Sequence, residues 1–309
     1  MMKKSILLII IAMVFTQVYS QEWEIEGHEI KVKKTGSKLT LSWDHSDHVL
    51  LISADTIYPF NTGFDFAFLL FEQNGKLGVV DPFDLYVIAE AQYESFKLVD
   101  AQLPYIFAKE NVEYSVLMDN FQPLFKEKFK KIQHLDTPGY SEFLFLVENN
   151  DKKGVIDLEG DGIFILKMVY DDIILLPETS LEDIRFHVRK GAKEGICGYG
   201  NVILKPKYNE VKQIVGDGPE AYLVKKRNKK GMIIEGYKDH PIIFDKISFV
   251  GNAWPSGYII FEKKGKFDVL EGDSQLNFKP RFDKVWTETK DGKEILYMSK
   301  DGEISTINL

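Results

Sequence analysis

The sequence predicts an all-β fold built from tandem repeats of about 38 residues. Short runs of Val, Ile, Leu, Phe and Tyr alternate with clusters of Gly, Asn, Asp and Lys, a pattern that indicates strands joined by tight turns. No segment shows a strong helical period of apolar residues. Two separate sequence marks also recur in one phase along most of the chain, which indicates a repeat architecture.

The first mark is an apolar strand, a turn rich in Lys, Gly and Asn, and a second strand. One copy begins at Phe68 and ends at Asp81, and another begins at Phe143 and ends at Asp157. One position in the second strand, which we call the anchor, recurs once in each copy with a nearly constant spacing. The anchors are Gly78, Ser115, Gly154, Gly195, Gly231, Asp268 and Ser305.

The second mark is an aromatic residue followed three positions later by an apolar one, and it comes at a nearly constant distance after an anchor. These repeat aromatics are Tyr93, Phe129, Tyr170, Tyr208, Phe244 and Phe282. Their fixed phase predicts core packing rather than a surface for stacking sugars, because each repeat needs the same large side chain in the same place. An acidic residue or Asn follows most of them, namely Glu94, Asp171, Asn209, Asp245 and Asp283. We expect these side chains to hydrogen-bond the backbone of the following turn.

Each copy offers four short strands, the size of one propeller blade. For the copy with Gly231, the expected strands are 221–225, 231–235, 241–244 and 246–250. One blade cannot bury its apolar face alone, so neighbouring copies must stack. The preferred prediction is a seven-bladed propeller-like ring closed by both termini, in which the segment from Ile57 to Phe60 completes the last blade. The alternative is an open β-solenoid of stacked hairpin repeats, with both end fragments acting as caps.

At these positions the chain resembles the bacterial WG-repeat family, over roughly residues 64 to 309. The matching strand segments are Lys76-Leu77-Gly78-Val79-Val80-Asp81 and Lys152-Lys153-Gly154-Val155-Ile156-Asp157. The matching later segments are Leu204-Lys205-Pro206-Lys207-Tyr208-Asn209 and Phe278-Lys279-Pro280-Arg281-Phe282-Asp283. The family's tryptophan is replaced before the anchors, by Leu77, Lys153, Glu194, Lys230 or Phe267, so the chain would be a diverged member. The resemblance implies an all-β interaction module without shared catalytic residues.

The N-terminal segment predicts an export signal. Lys3 and Lys4 precede an almost wholly apolar stretch, residues 6–15, and Val18 and Ser20 suit a cleavage site before Gln21. That stretch is too short to span a bilayer, which needs roughly 20 apolar residues. We therefore expect a signal peptide at 1–20, N-terminal strands at 21–63 that complete or cap the array, and the repeat domain at 64–309. The protein would be periplasmic or extracellular, with or without attachment to the outer membrane, and would have no membrane span.

Composition excludes several functional classes. The 309 residues carry a formal charge of −8, which argues against nucleic-acid binding because that needs a basic surface. The single cysteine, Cys197, excludes an internal disulfide framework and is expected to be a buried, inert thiol. We find no sequence motif of a nucleophile, a metalloprotease or a phosphate-binding loop. The sequence therefore predicts a protein that is not an enzyme and holds no cofactor.

Two polar clusters allow a metal site but favour a turn. The segment Asp44-His45-Ser46-Asp47-His48 is dense in ligand types, yet no distant third ligand accompanies it. Asp157, Glu159 and Asp161 imitate the start of a calcium loop, but Met168 stands where a bidentate Glu is required. We expect a hairpin connection there. Arg185 and His187 share one face of a strand, and no nucleophile accompanies them.

The turns of the repeat carry charge of opposite sign at the two ends of the second strand. The acidic positions are Asp81, Asp84, Asp119, Asp157 to Asp161, Asp239, Glu271 and Asp273. The basic turns also include Lys190, Lys193 and Lys225, and their main members, which we call the docking rim, are Lys152, Lys153, Lys226, Lys229, Lys230, Lys263, Lys264 and Lys266. The hypothesis is a charge-polarised body whose docking rim orients a protein partner. The competing interpretation is that hairpin tips are simply charged and solvated.

The predicted function is that of a non-catalytic scaffold or binding protein of the bacterial cell envelope, with another envelope or surface protein as the leading partner. The alternative is a propeller that binds or processes glycans. That alternative requires exposed aromatic residues beside paired carboxylates, and Trp254 and Trp286 are the candidates.

Overall fold

The structure is a computed structural model, and it describes residues 19–25, 28–43, 48–61, 67–99, 105–136, 143–159, 161–177, 184–215, 220–235, 242–252, 255–272 and 279–309. Within these ranges every regular element is a β-strand, and the strands form eight small antiparallel sheets. The predicted all-β repeat fold is confirmed. No helix in the described ranges is long and apolar enough to cross a membrane. The chain divides into two compact units, 1–132 with 158–162, and 133–157 with 163–309.

The first unit begins with a sheet outside the repeat phase, whose strands are β1 (Tyr19–Ile25), β2 (His28–Thr35), β3 (Lys38–Trp43) and β4 (Val49–Ser53). The next sheet holds the first anchor and consists of β5 (Thr56–Asn61), β6 (Ala67–Gln73), β7 (Lys76–Asp81) and β8 (Tyr86–Tyr93). The third sheet consists of β9 (Ser95–Leu98), β10 (Tyr105–Glu110) and β11 (Glu113–Met118). Alternate residues of neighbouring sheets pack together, so one apolar layer lies between the first two sheets and another between the second and third.

Five further sheets contain the remaining anchors. Their strands are β12 (Lys131–His134), β13 (Leu144–Asn149), β14 (Lys152–Asp157) and β15 (Ile163–Tyr170); β16 (Asp172–Leu175), β17 (Arg185–Lys190), β18 (Lys193–Gly198) and β19 (Val202–Tyr208); β20 (Glu210–Ile214), β21 (Ala221–Lys226) and β22 (Lys229–Ile234); β23 (Lys246–Val250), β24 (Tyr258–Lys263) and β25 (Lys266–Glu271); and β26 (Lys284–Lys290), β27 (Lys293–Lys300) and β28 (Glu303–Asn308). In the second unit an apolar layer again separates each sheet from the next.

Sheets and sequence copies are offset by one strand. In the copy with Gly231, strands β21 and β22 form the hairpin and Phe244 bridges to Lys230, as expected for three strands of one sheet. The fourth expected strand, 246–250, is β23 and pairs with β24 of the next sheet. A repeat unit is therefore a hairpin plus a bent segment that ends one sheet and starts the next.

The N-terminal aromatic segment is not paired with the last sheet among the described residues. Strand β5, which contains Tyr58, pairs with β6 along its whole length and so opens the sheet of the first anchor. Among the described residues β5 pairs with β6 and β28 with β27, so the expected pairing of this segment within the last blade is not found there, and closure of the ring stays a prediction. The described residues contain seven anchor sheets plus the sheet of β1 to β4.

The repeat aromatics form part of the core. Tyr93, Phe129, Tyr170, Tyr208 and Phe244 are all buried, and Phe282 is partly buried against the last apolar layer. The predicted core role is confirmed. Each of these residues also pairs with the position just before its anchor, so its backbone holds the anchor strand while its ring fills the layer.

Candidate functional site

The residue after most of the repeat aromatics forms a tight bend between two sheets. Strands β15 and β16 are separated by Asp171 alone, and β19 and β20 by Asn209 alone. At each such bend the backbone N–H donates to a carbonyl on the first strand of the next hairpin, at 2.6 to 2.8 Å. We call these positions the elbow residues: Glu94, Asp171, Asn209, Asp245 and Asp283, together with Asp55, which follows Ala54 and makes the same backbone contact.

Most elbow side chains also hold the tip of the next hairpin. Asp245 Oδ2 accepts a hydrogen bond from the Lys264 N–H at 2.7 Å, and Asp283 Oδ2 accepts one from the Asp301 N–H at 2.9 Å. The turn residues that donate have positive φ, which is the backbone of a two-residue hairpin turn. Asp55, Asp171 and Asn209 make the same contact with the donors Asn74, Gly191 and Arg227. The expected bond to a following turn is confirmed for the repeat residues Asp171, Asn209, Asp245 and Asp283.

Elbow carboxylates also bind lysines of the docking rim. Lys152 forms an ion pair with Asp171, Lys229 with Asp245, and Lys266 with Asp283. Lys153 pairs with Asp172 at 2.6 Å, one residue beyond an elbow. These four lysines of the predicted docking rim are therefore engaged within the protein, where they join one hairpin to the bend that follows it.

These contacts shift the ionisation of the elbows. The ammonium groups of Lys152, Lys229 and Lys266 hold the pKa of Asp171, Asp245 and Asp283 below the ordinary value, and the turn N–H groups act in the same direction. Asp283 in turn raises the pKa of Lys266. Asp171, Asp245 and Asp283 are therefore ionised at neutral pH.

The other docking-rim lysines lie at the hairpin tips. Lys226 and Lys264 are exposed, and Lys230 and Lys263 are half-buried. Lys190, at the tip of the β17–β18 hairpin, is exposed, as is Arg227 beside Lys226. The tips of the β17–β18, β21–β22 and β24–β25 hairpins are thus short, charged turns whose backbone is fixed by an elbow side chain.

Several acidic positions at the opposite ends of the anchor strands have local roles. Asp81 accepts hydrogen bonds from the N–H groups of Phe83 and Asp84 within its own turn, at 2.7 and 3.1 Å. Asp157 is 3% exposed and accepts a hydrogen bond from the Tyr199 hydroxyl at 2.7 Å. Asp119 binds its neighbour's N–H and Glu271 is exposed. Asp239 and Asp273 lie outside the described residues.

The candidate metal clusters receive no support from the described residues. Asp157 ends β14, and the antiparallel pairing of β14 with β15 confirms the predicted hairpin connection. Residues 44–47 lie outside the described ranges, so the Asp44-to-His48 cluster stays a prediction. Within the described ranges no group of three or more His, Cys, Asp or Glu side chains is placed to hold a metal ion.

Of the remaining candidate residues, Cys197 is buried, and Arg185 and His187 each lie beside a glutamate. Arg185 is 8% exposed and bonds Glu235 at 3.2 Å, while His187 lies 3.1 Å from Glu194. Cys197 is fully buried beside the Tyr170 hydroxyl, 3.4 Å from its oxygen, and burial raises the pKa of the thiol. The predicted buried thiol is confirmed.

Of the two tryptophans proposed for glycan contact, Trp254 lies outside the described residues. Trp286 is half-buried, stacks on Tyr297 with ring centroids 5.2 Å apart, and donates its indole N–H to Glu288 at 2.9 Å. Its ring is therefore engaged with its own sheet, which weakens the support for a sugar-stacking surface.

Sequence reasoning found the rim lysines and the elbow acids separately and missed that they pair. The signal was present as a nearly constant spacing between each such Lys and the elbow partner that follows it. The spacing is hard to interpret without the fold, since it crosses from one strand of the hairpin to the bend between sheets.

No protein-family model matches the chain, and no curated protein sequence is similar to it. The WG-repeat resemblance thus stays a prediction. Solved structures that match include an acylaminoacyl peptidase from Pyrococcus horikoshii, at 12% identity and a TM-score of 0.28, covering 93% of this chain and 58% of the peptidase. A eukaryotic initiation factor matches at 9% identity and a TM-score of 0.30, covering 90% of this chain and 82% of the factor. Kluyveromyces lactis Hsv2 matches at 9% identity and a TM-score of 0.23, covering 91% and 94%. This chain spans little more than half of the peptidase's length, and similarity this weak supports no conclusion about activity or partners.

Proposed function

We propose that the chain is an exported, non-catalytic β-repeat protein that binds another protein in the bacterial cell envelope. The observation that carries the proposal is the set of hairpin tips in the second unit. Three of these tips, those of the β17–β18, β21–β22 and β24–β25 hairpins, are two-residue turns whose backbone is fixed by an elbow side chain and which present exposed cations such as Lys226 and Lys264.

Fixed tips favour binding because little conformational entropy is lost when they engage a partner. Charged groups on such tips speed association and orient docking more than they set affinity. Because Lys152, Lys229 and Lys266 are held in ion pairs, the cations available to an acidic partner are those at the turns themselves. The signal peptide predicted at residues 1–20 supports an envelope location.

The test separates tip cations from structural lysines. The tip variant combines Lys190→Glu, Lys226→Glu, Arg227→Glu and Lys264→Glu, four exposed positions. The matched control combines Lys167→Glu, Lys205→Glu, Lys246→Glu and Lys284→Glu, four exposed lysines on strands, and changes the net charge equally. The mature protein and both variants are crosslinked in the envelope fraction of the producing bacterium, and captured proteins are identified.

We expect a stoichiometric protein partner with the wild type and the control, and its loss with the tip variant. The partner's association rate should also fall as salt rises, because exposed charges are screened. Equal capture by both variants would remove the tips from the interaction. The absence of any protein partner from all three captures would overturn the protein-binding function and direct the work to a glycan screen.

A further inference from the structure

In six of the seven copies, a repeat aromatic pairs with the anchor strand along the edge that faces away from the hairpin. In each case the aromatic lies opposite the residue just before the anchor: Tyr93 with Leu77, Phe129 with Tyr114, Tyr170 with Lys153, Tyr208 with Glu194, Phe244 with Lys230, and Phe282 with Phe267. The corresponding residue of the seventh copy is Ile304, just before Ser305 on β28. Among the described residues β28 pairs with β27 alone, and Ile304 is 61% exposed.

The backbone of Ile304 faces the open side of β28. In the copy with Gly231, Lys230 lies opposite Lys225 within the hairpin, and its N–H and C=O bond Phe244 on the other side at 2.8 and 3.1 Å. Ile304 lies opposite Ser299 at the same distance from its own hairpin turn. Its N–H and C=O therefore point outward, at the place where the other copies receive an aromatic residue.

The side-chain surroundings of this edge suit an aromatic residue. Ile304 shares a sheet face with Tyr297 and Trp286, because these residues alternate with Met298 and Leu296, which fill the core on the opposite face. An aromatic side chain opposite Ile304 would lie on this face and pack against the exposed side chain of Ile304 itself.

The charge that would suit this edge can also be inferred. The residue two positions before the anchor and the residue after the aromatic are oppositely charged in four copies, as in Lys152 with Asp171 and Lys266 with Asp283. The copy with Ser115 has the signs exchanged, with Glu113 before the anchor and Lys130 after Phe129. The seventh copy has Glu303 at this position, so its complement is a basic residue.

We propose that the open edge of β28 binds an extended segment of a partner protein, which adds as an antiparallel strand with Phe or Tyr opposite Ile304 and Lys or Arg directly after it, facing Glu303. Main-chain hydrogen bonds would supply affinity and the two side chains would supply specificity, as in other cases of strand addition. This site rests on the proposed protein-binding function but lies on a different surface from the hairpin tips.

The test uses the full mature protein and a synthetic peptide with the sequence of residues 123–132, which contains the Phe129-Lys130 pair of the charge-exchanged copy. Peptide variants carry Phe129→Ala or Lys130→Asp, and binding is measured by calorimetry. The protein variant Ile304→Pro removes the outward N–H and leaves the bonds between β27 and β28, since proline is tolerated on an edge strand. The variant Glu303→Lys reverses the charge at an exposed position.

We expect saturable binding that weakens at least tenfold with Ile304→Pro and with the Phe129→Ala peptide. Glu303→Lys should exchange the preference between the original and the Lys130→Asp peptides. If circular dichroism shows that Ile304→Pro does not fold, the change of peptide preference caused by Glu303→Lys tests the proposal by itself.

The absence of binding, or binding that neither protein variant changes, would overturn the proposal. Self-association that Ile304→Pro abolishes would assign the edge to a second copy and would also overturn it. The peptide titration and the envelope capture test different surfaces. A captured partner without peptide binding would contradict only the edge site. Peptide binding without a captured partner would contradict only the role of the hairpin tips.

Discussion

Single residues of the same type have different roles according to their place in the repeat. Lys229 and Lys226 belong to one hairpin, yet Lys229 forms an ion pair with Asp245 while Lys226 is exposed at the tip. Their chemistry is identical, so composition and local charge cannot separate them. What separates them is whether the side chain comes from the first residue of the anchor strand, where the elbow carboxylate lies within reach.

Cys197 gives a prediction at the residue scale. Its thiol is fully buried in the layer between the sheets of β12 to β15 and β16 to β19, and its pKa is raised by burial. Because the thiolate is the reactive form, we expect negligible alkylation of the native protein at about pH 8 and full alkylation in urea. Mass spectrometry of iodoacetamide-treated samples measures this. Rapid modification of the native protein would contradict the buried position of β18.

At the scale of elements, three of the four anchor glycines lie where a regular fourth strand approaches the anchor strand closely. The pairing of β8, β15 and β19 with their anchor strands skips one residue at Gly78, Gly154 and Gly195, where the register shifts. A Cβ at Gly195 would lie 2.3 Å from the carbonyl oxygen of Leu204. The copies with Ser115, Gly231 and Asp268 have only isolated bridges at this place among the described residues. Glycine therefore permits the close approach of the fourth strand.

The consequence is testable by a matched pair of substitutions. Gly195→Ala places a methyl group against the backbone of β19 and should destabilise the protein by about 1–3 kcal/mol, the usual cost of overpacking. Ser115→Ala changes the same repeat position in a copy without a regular fourth strand, and we expect less than about 1 kcal/mol. Urea unfolding followed by circular dichroism compares the two. A similar loss at both positions would mean that the glycine does not serve the fourth strand.

The sequence predicted the elements better than their partners. Hairpins such as β21–β22 follow from alternating apolar residues and a two-residue turn, both of which are local. No Gly or Pro marks the bend at Asp171 or Asn209. The sequence therefore predicts that the strands before and after the bend belong to one sheet. The sheet of β1 to β4 lies outside the repeat phase, and Tyr58 has the same local pattern whichever sheet its strand joins. The alternation of apolar and polar residues along a strand shows which of its faces is buried. It does not show which other strand it pairs with.

At the scale of the whole molecule, elbow contacts recur along the chain at successive junctions between sheets. Asp171, Asp245 and Asp283 each bind a lysine of the preceding hairpin and the turn of the following one. Exposed ion pairs contribute little individually. Repetition along an array in which each sheet contacts its neighbours makes their effects accumulate. The stability of the protein should therefore depend on the ionisation of the elbows as a group.

The last prediction concerns the stability of the protein at acidic pH. The pKa values of Asp171, Asp245 and Asp283 are lower in the folded protein than the ordinary value of 3.8, so the unfolded chain binds more protons as the pH falls through this range. The stabilisation from these groups is complete above about pH 5 and is lost progressively as the pH falls through and below the ordinary value. We expect the urea midpoint of the wild type to drop steeply there. The triple variant Asp171→Asn, Asp245→Asn and Asp283→Asn keeps a turn acceptor, as Asn209 does naturally, but loses the charge. Its midpoint should be lower at neutral pH and should fall less on acidification.

The matched control is Asp84→Asn, Asp136→Asn and Asp161→Asn, three exposed carboxylates, which should retain the wild-type acid dependence. The difference between the two triple variants isolates the elbows from the general effect of removing negative charge, because both remove the same number of carboxylates. An equally steep acid transition in the elbow variant would show that carboxylates elsewhere govern the response to acid. The paired lysines at the elbows would then be solvated surface charges, without a common role in joining the sheets.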